Sequence, residues 1–392
     1  MSEQTKKNST IACYAPGLAG IPVAESSISF VDGEHGRLEY RGLDICELAE
    51  HSSFEEMCFL LLYGTLPSHT ELDELDGEFK QHRRIKYSIR DMIKCFPESA
   101  HPMDVLQATV AALGMFYPYR KGLGTGDVSG EAEMHAACIR LISKMPTLVA
   151  AHARMRYGDD PIAPRDDLSH AGNFLYMLSG SEPDELSTRI MDVALIVHAE
   201  HTMNASTFSA MVTGSTLADP YTVISSAIGT LSGPLHGGAN EDVLDMLDTI
   251  GSVDHVASFL QQKLANKEKI PGFGHRVYKV TDPRATILQD LYAKLTEKYG
   301  EDETYAIAKE LERLSSDNLG AKGVYPNVDF YSGIVYRRLG IDPDLFTSVF
   351  AVSRVAGWLA HWREMLPHNR IYRPVQIYAG EHGVSYTPVD ER

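Results

Sequence analysis

Apolar residues recur at helical spacing over most of the chain, and the exceptions lie before residue 41. From 19 to 41, short β-prone pieces alternate with glycine: Ile28-Ser29-Phe30-Val31, then Asp32-Gly33 and His35-Gly36. Asp-Gly between such runs predicts a hairpin. The period then changes. Leu48, Phe54, Met57, Cys58, Leu61 and Leu62 fall at helical spacing, with Ser52 and Ser53 as caps before Glu55 and Glu56. Pro67-Ser68 opens a helix that is acidic at its start and carries Arg83, Arg84 and Lys86 toward its end, matching the helix dipole. His101-Pro102 starts an apolar helix over 103–116. Residues 119–130 hold four glycines and predict a mobile loop, before helices over 133–143 and beyond Pro146.

The segment 184–199 is amphipathic, with Leu186, Ile190, Val193, Ala194 and Val197 on one face. Further helices are predicted over 206–213, 220–231, 241–250, 256–264, 283–299, 304–314, 329–339 and 344–365. Many helices with short connections predict an all-α fold with a minor N-terminal β hairpin. No repeat and no long linker marks a domain boundary.

Composition narrows the function. The chain has 392 residues and a formal net charge of −17. No basic run offers a track for a phosphate backbone, so nucleic acid is not an expected partner. No apolar run has membrane-spanning length, and no signal-peptide core follows the polar N-terminus. The five cysteines, Cys13, Cys46, Cys58, Cys95 and Cys138, form no CxxC pair and read as reduced thiols in a cytoplasmic setting. An anionic substrate would need a locally positive pocket in so acidic a chain, which draws attention to a few arginines.

Five stretches carry candidate chemistry. In 269–284, a proline and two glycines precede His275, leaving backbone that a ligand could approach. Arg284 follows Asp282-Pro283, where the proline pins the backbone and the guanidinium suits a carboxylate. In 198–206, His198 and His201 stand three apart at a helix end. They could share a metal, although no cysteine or carboxylate pattern completes a set, or they could answer the helix dipole. In 233–240, His236 lies among glycines just before a helix, a position that disfavours added positive charge. A neutral imidazole there could donate to a developing enolate oxygen, or the histidine could simply sit in a tight turn. In 325–333, Pro326-Asn327 reads as a helix start. The dipole there would keep Asp329 ionised, as a base or as a helix-stabilising charge. In 350–358, Arg354 lies mid-helix among apolar residues and must meet a carboxylate, meet an anionic substrate, or snorkel to the surface.

Together, Gly272-Phe273-Gly274-His275, the spacing to Asp282-Pro283-Arg284, Gly233-Pro234-Leu235-His236-Gly237-Gly238 and Pro326-Asn327-Val328-Asp329 resemble the citrate synthase family, in its order. The resemblance runs over about 17–380 and is similar to the shorter bacterial and archaeal members. It implies a two-domain helical homodimer. A large domain would span 1–223 plus 338–392, and a small domain, 224–337, would close over the cleft. It implies condensation of acetyl-CoA with oxaloacetate and water to citrate and CoA, with no metal or other cofactor. By resemblance, Asp329 is the base, His236 the donor to the thioester oxygen, and His275 the acid at the oxaloacetate carbonyl. His201, His275, Arg284 and Arg354 would hold oxaloacetate, joined by Arg373 from the other subunit. Pro271, Gly272, Phe273 and Gly274 would line the adenine of CoA, with Lys279 and Arg276 on its phosphates. Val375 stands where short members often carry a further arginine after Arg373-Pro374.

The same machinery could serve propionyl-CoA, giving a 2-methylcitrate synthase. A metal-dependent hydrolase using His201, His236, His275 and Asp329 as ligands, and a non-enzymatic CoA-binding protein, are readings from other classes.

Overall fold

In the computed structural model, the structure describes residues 14–119 and 128–392. Residues 120–127 of the glycine-rich loop expected at 119–130 therefore lie outside the described residues, while 128–130 belong to a helix rather than to the expected loop. The hairpin forms as expected: β1 (Ser29–Asp32) pairs antiparallel with β2 (Arg37–Tyr40), Ser29 opposite Tyr40 and Asp32 opposite Arg37. A short third strand, β3 (Leu43–Asp44), adds to β2. The Asp32 carboxylate accepts the Glu34 and His35 N–H groups at 3.1 Å and holds the turn.

Helices follow without another strand among the described residues. They are α1 (Ile45–His51), α2 (Phe54–Tyr63), α3 (His69–His82), α4 (Tyr87–Lys94), α5 (Pro102–Phe116), α6 (Val128–Met155), α7 (His170–Ser179) and α8 (Glu185–His198). Then come α9 (Ala205–Ser215), α10 (Pro220–Leu231), α11 (Ala239–Ile250), α12 (Val256–Asn266), α13 (Pro283–Tyr299), α14 (Glu303–Leu319), α15 (Val328–Arg338) and α16 (Phe346–Met365).

Local chemistry starts many of them. Ser53 caps α2 by accepting the Glu56 N–H, and Ser68 with Glu71 forms a reciprocal capping box on α3. Two short helices, α4 and α7, escaped the sequence reading; each offers fewer than three turns of periodicity. The helix expected over 133–143 does continue past Pro146, and without interruption. α6 continues through it for 28 residues, because 137–153 is buried almost without interruption and tertiary packing outweighs the lost N–H.

α16 is the spine. It is buried on every side from Phe346 to Trp362, as a helix apolar all round must be. It packs against α2, α6, α8, α9 and α10. Helices α11 to α15 pack chiefly on one another, α13 and α11 both against α15, and α12 against α14. The four described cysteines are free, Cys58 and Cys138 buried. Among the described residues, no helix is long and apolar enough to cross a membrane.

Candidate active site

Three connections, the first turns of α13 and α15, and the middle of α16 supply the site. The loop before His275 is stitched to the start of α15. Gly274 N–H donates to Tyr325 O at 2.8 Å, and Asn327 N–H donates to Gly272 O at 2.9 Å. The Asn327 side chain donates to Gly274 O at 2.9 Å while capping α15 with its oxygen. Gly272 sits at φ +76°, and a Cβ there would lie 2.8 Å from Val243 and 2.9 Å from Phe330. The glycines thus serve close internal packing, and much of the backbone expected to face a ligand is engaged in joining His275 to Asp329. Phe273 closes the contact edge-on against Phe330, with ring centroids 4.7 Å apart.

Hydrogen bonds assign the imidazole protons. His275 Nδ1 accepts the N–H groups of Val277 at 3.0 Å and Tyr278 at 3.1 Å. Its proton therefore resides on Nε2, leaving that N–H as the donor. His236 is the mirror case. Its Nε2 accepts the Ser206 N–H at 3.3 Å and lies 2.8 Å from Ser206 Oγ, so Nδ1 carries the hydrogen. Ser206 is itself held by Asn204 and by the Trp358 indole N–H at 3.1 Å. Burial, helped by Arg354, pushes His236 down to about 4; burial, helped by Arg284, does the same to His275. Both are neutral at physiological pH. The sequence reading assigned His236's neutrality to the helix dipole; the structure assigns it to burial and a buried guanidinium.

Asp329 requires a larger correction. Burial pushes its carboxyl from 3.8 up to about 6, against the pull of Arg284 and Arg354. The helix start does not hold it at an ordinary carboxylate value. Burial dominates, and the result is a stronger base than an exposed aspartate.

The arginines differ. Arg284 is 3% exposed and grips Asp282 with two bonds, Nε to Oδ1 at 3.0 Å and Nη2 to Oδ2 at 2.7 Å. Asp282 also caps α13 through the Arg284 N–H. One edge of the fork that the sequence offered to a substrate is thus already filled. Arg354 is 1% exposed and does not snorkel. Its Nε donates to His198 O at 2.6 Å and its guanidinium lies over Phe350. It makes no ion pair with a carboxylate among the described residues, and burial pushes it down to about 10, still charged at neutral pH.

His201 joins this group. Its ring meets His275 edge-on at 5.3 Å, and its Nε2 lies 3.3 Å from the Tyr278 hydroxyl. Burial and the neighbouring Arg284 hold it neutral, well below the ordinary histidine value. His198 does not share its helix face: α8 ends at His198, and the His198 Nδ1 donates back to Ala194 O at 2.7 Å. Among the described residues, no three His, Cys, Asp or Glu side chains are grouped to hold a metal ion.

Arg373, Lys279 and Arg276 are exposed and are not brought into this group. Among the described residues, Arg373 donates one hydrogen bond, to Pro374 O at 3.4 Å. The sequence reading missed several supporting residues. Tyr278, Asp282, Ser206 and Trp358 orient the named groups. Glu200, fully buried, pairs with His361 at 2.9 Å and is the largest of the charges that favour a charged Arg354. All four orienting residues lie inside the candidate stretches 198–206, 269–284 and 350–358 but were given no role there. The Glu200–His361 pair joins residues 161 apart and left no local signal.

Buried neutral histidines, a raised carboxyl and buried arginines on a helical scaffold define an acid–base enzyme for an anionic substrate. A family model described as citrate synthase, C-terminal domain, matches residues 17–375. A citrate synthase of Synechocystis is 58% identical, with 97% of this chain and 94% of the relative covered. One from Acidithiobacillus ferridurans is 53% identical over 97% and 98%. The solved citrate synthase of Pyrobaculum aerophilum superposes with a TM-score of 0.91 at 40% identity, covering 96% of this chain and 95% of that one. A ternary complex of carboxymethyl coenzyme A and oxaloacetate with the Thermoplasma acidophilum citrate synthase gives 0.90 at 31%, covering 96% and 99%. The chain belongs to the citrate synthase family and is an enzyme of that activity. The hydrolase and non-enzymatic readings are set aside, and the propionyl-CoA alternative finds no support in these relatives.

Proposed function

We propose that the chain condenses acetyl-CoA with oxaloacetate and water, with Asp329 as base, His236 as donor to the thioester oxygen and His275 as acid at the oxaloacetate carbonyl. The observation that carries this is the pair of opposite, neutral tautomers. Nδ1–H of His236 and Nε2–H of His275 are fixed as donors by hydrogen bonds on the other ring nitrogen. A base near 6 removes a carbon-bound proton only if the forming enol oxygen is stabilised at once, which a neutral donor does without first losing a charge. In the second stage, the enol carbon attacks the oxaloacetate carbonyl as the His275 proton moves to its oxygen. Water then cleaves the thioester. His201, Arg284 and Arg354 would hold the dicarboxylate. Residues 271–274, Lys279 and Arg276 would meet CoA, and no resident metal is required.

The test is oxaloacetate-dependent release of CoA thiol, with acetyl-CoA and propionyl-CoA, before and after exhaustive chelation. The expected outcome is a higher kcat/KM with acetyl-CoA and no change on chelation. Propionyl preference would move the protein to the methylcitrate reaction with the same residues. Thiol release indifferent to oxaloacetate would defeat the assignment.

The proposed small domain closes over the cleft. Its lower boundary is better placed after Leu231 than at 223/224, since α10 runs unbroken across that point and packs on α5 and α9. We also propose a cytoplasmic homodimer in which Arg373 enters the partner's site. The C-terminal tail supports this reading: it is extended and leaves Val375, Val384 and Tyr386 at least 70% exposed. Mixing inactive Arg373→Ala and His275→Ala subunits should then restore activity to roughly a quarter of the sites, because a hybrid dimer rebuilds one intact site. No recovery on mixing would place Arg373 in its own subunit's site or outside both. Fractionation that left the protein with membranes would refute the compartment.

A further inference from the structure

The hairpin at the N-terminal end has no place in the roles above, yet it touches both oxaloacetate histidine segments. At its base, the Ser29 hydroxyl donates to Glu200 at 2.9 Å and accepts the Thr202 N–H at 3.2 Å, on either side of His201. The Tyr40 hydroxyl donates to Glu200 O at 2.8 Å. At its tip, Gly33 O accepts the Lys279 N–H at 2.9 Å. That amide directly follows the two, Val277 and Tyr278, that hold His275 Nδ1.

The approach depends on a missing side chain. A Cβ on Gly33 would stand 2.2 Å from Val277 O and 2.7 Å from its carbonyl carbon, both backbone atoms that cannot swing aside. Gly33 does not lie in the left-handed region, so alanine is compatible with the turn itself. Only the contact with the His275 loop forbids it. Gly36, three residues on, also lies close to this loop, with a Cβ there 2.9 Å from the Val280 side chain, but its φ of +65° favours glycine by itself.

We propose that Gly33 is a positioning residue for His275: its carbonyl and bare Cα hold backbone 277–279 against the hairpin so that the amides of Val277 and Tyr278 fix the imidazole with its proton on Nε2. This rests on His275 acting as the acid. It gives the hairpin a catalytic consequence that sequence motifs around the histidine do not contain. Misplacement of a reacting group by about 1 Å costs on the order of 100-fold in rate, so a displaced loop has a measurable effect.

The experiment compares Gly33→Ala with Gly77→Ala, a control in α3 where a Cβ meets nothing within 4 Å. Gly33→Ala should lower kcat roughly 10- to 100-fold, while the melting temperature stays near that of the control. Amides 277–279 should lose hydrogen-exchange protection in the oxaloacetate complex. A kcat within about twofold of the control would overturn the proposal, whatever the exchange shows. Undiminished kcat in His275→Gln would instead remove the reading of His275 on which it stands. Should Gly33→Ala fail to fold, the wild-type protein decides. Lys279 must exchange as slowly as Val277 and Tyr278 in the oxaloacetate complex, and fast exchange at Lys279 alone overturns the proposal.

Discussion

Asp329→Asn is expected to lose activity and gain stability. The carboxylate accepts the substrate proton, and an amide of the same shape cannot, so kcat should fall by about 10²–10⁴-fold. Asn327, not Asp329, caps α15, so the helix start is untouched. The stability gain follows from the sign of the shift. The folded-state value is about 6 against an ordinary 3.8, so the folded protein binds this proton more tightly than the unfolded chain. Ionising Asp329 therefore costs stability, a cost absent below about pH 4, growing as pH rises toward 6, and complete above it. Its removal should stabilise the variant at pH 8 by on the order of 1–3 kcal/mol, with the difference vanishing toward pH 4. Activity of the wild type should fall as pH drops through 6. His236 and His275, both near 4, stay neutral over that range and add no second step. Urea unfolding at pH 8 and at pH 4.5, with kcat on the same samples, checks both halves. A variant that keeps its rate, or loses stability at pH 8, would remove Asp329 from the base position.

This pairing of loss and gain could not be read from the chain. The motif around Asp329 was plain, and so was its place in the first turn of a helix. The sign of its pKa shift was not, because it depends on what lies over the turn: Phe273 against Phe330, and the loop stitched to Tyr325 and Asn327. Local signals gave helix starts well, since a cap and its N–H are neighbours in sequence. Ser53, Ser68, Asn204 and Asn327 all cap where the pattern changes. Long-range effects stayed hidden. The helix through Pro146 is held by burial, the Glu200–His361 pair joins residues 161 positions apart, and the hairpin tip bonds a loop residue 246 positions away. The candidate histidines were legible as residues, but the ring nitrogen that carries each proton was not. That is decided by the amides of Ser206, Val277 and Tyr278, which only the fold brings round.

Electrostatic accounting of the cleft leads to the other large effect. Arg284 is matched by Asp282 and Glu200 by His361, so each pair is locally compensated. Of the cleft arginines, Arg354 is the one with no ion pair to a carboxylate among the described residues, and it is the group that an anionic substrate would complete. Arg354→Met should therefore raise the oxaloacetate KM by about 100-fold or more, as expected when one partner of a buried charge contact is removed. It should leave the unliganded protein near wild-type stability. The lost bond to His198 O costs about 1 kcal/mol, while removing an isolated buried charge works in the opposite direction. Arg284→Met should behave differently. It strands Asp282 in the interior and should cost about 3–5 kcal/mol before any substrate is added. Thermal unfolding of the two variants with and without oxaloacetate separates these cases. Arg354→Met should melt near wild type and show no ligand-induced shift. An oxaloacetate KM within about threefold of wild type would mean that Arg354 serves α16 rather than the substrate.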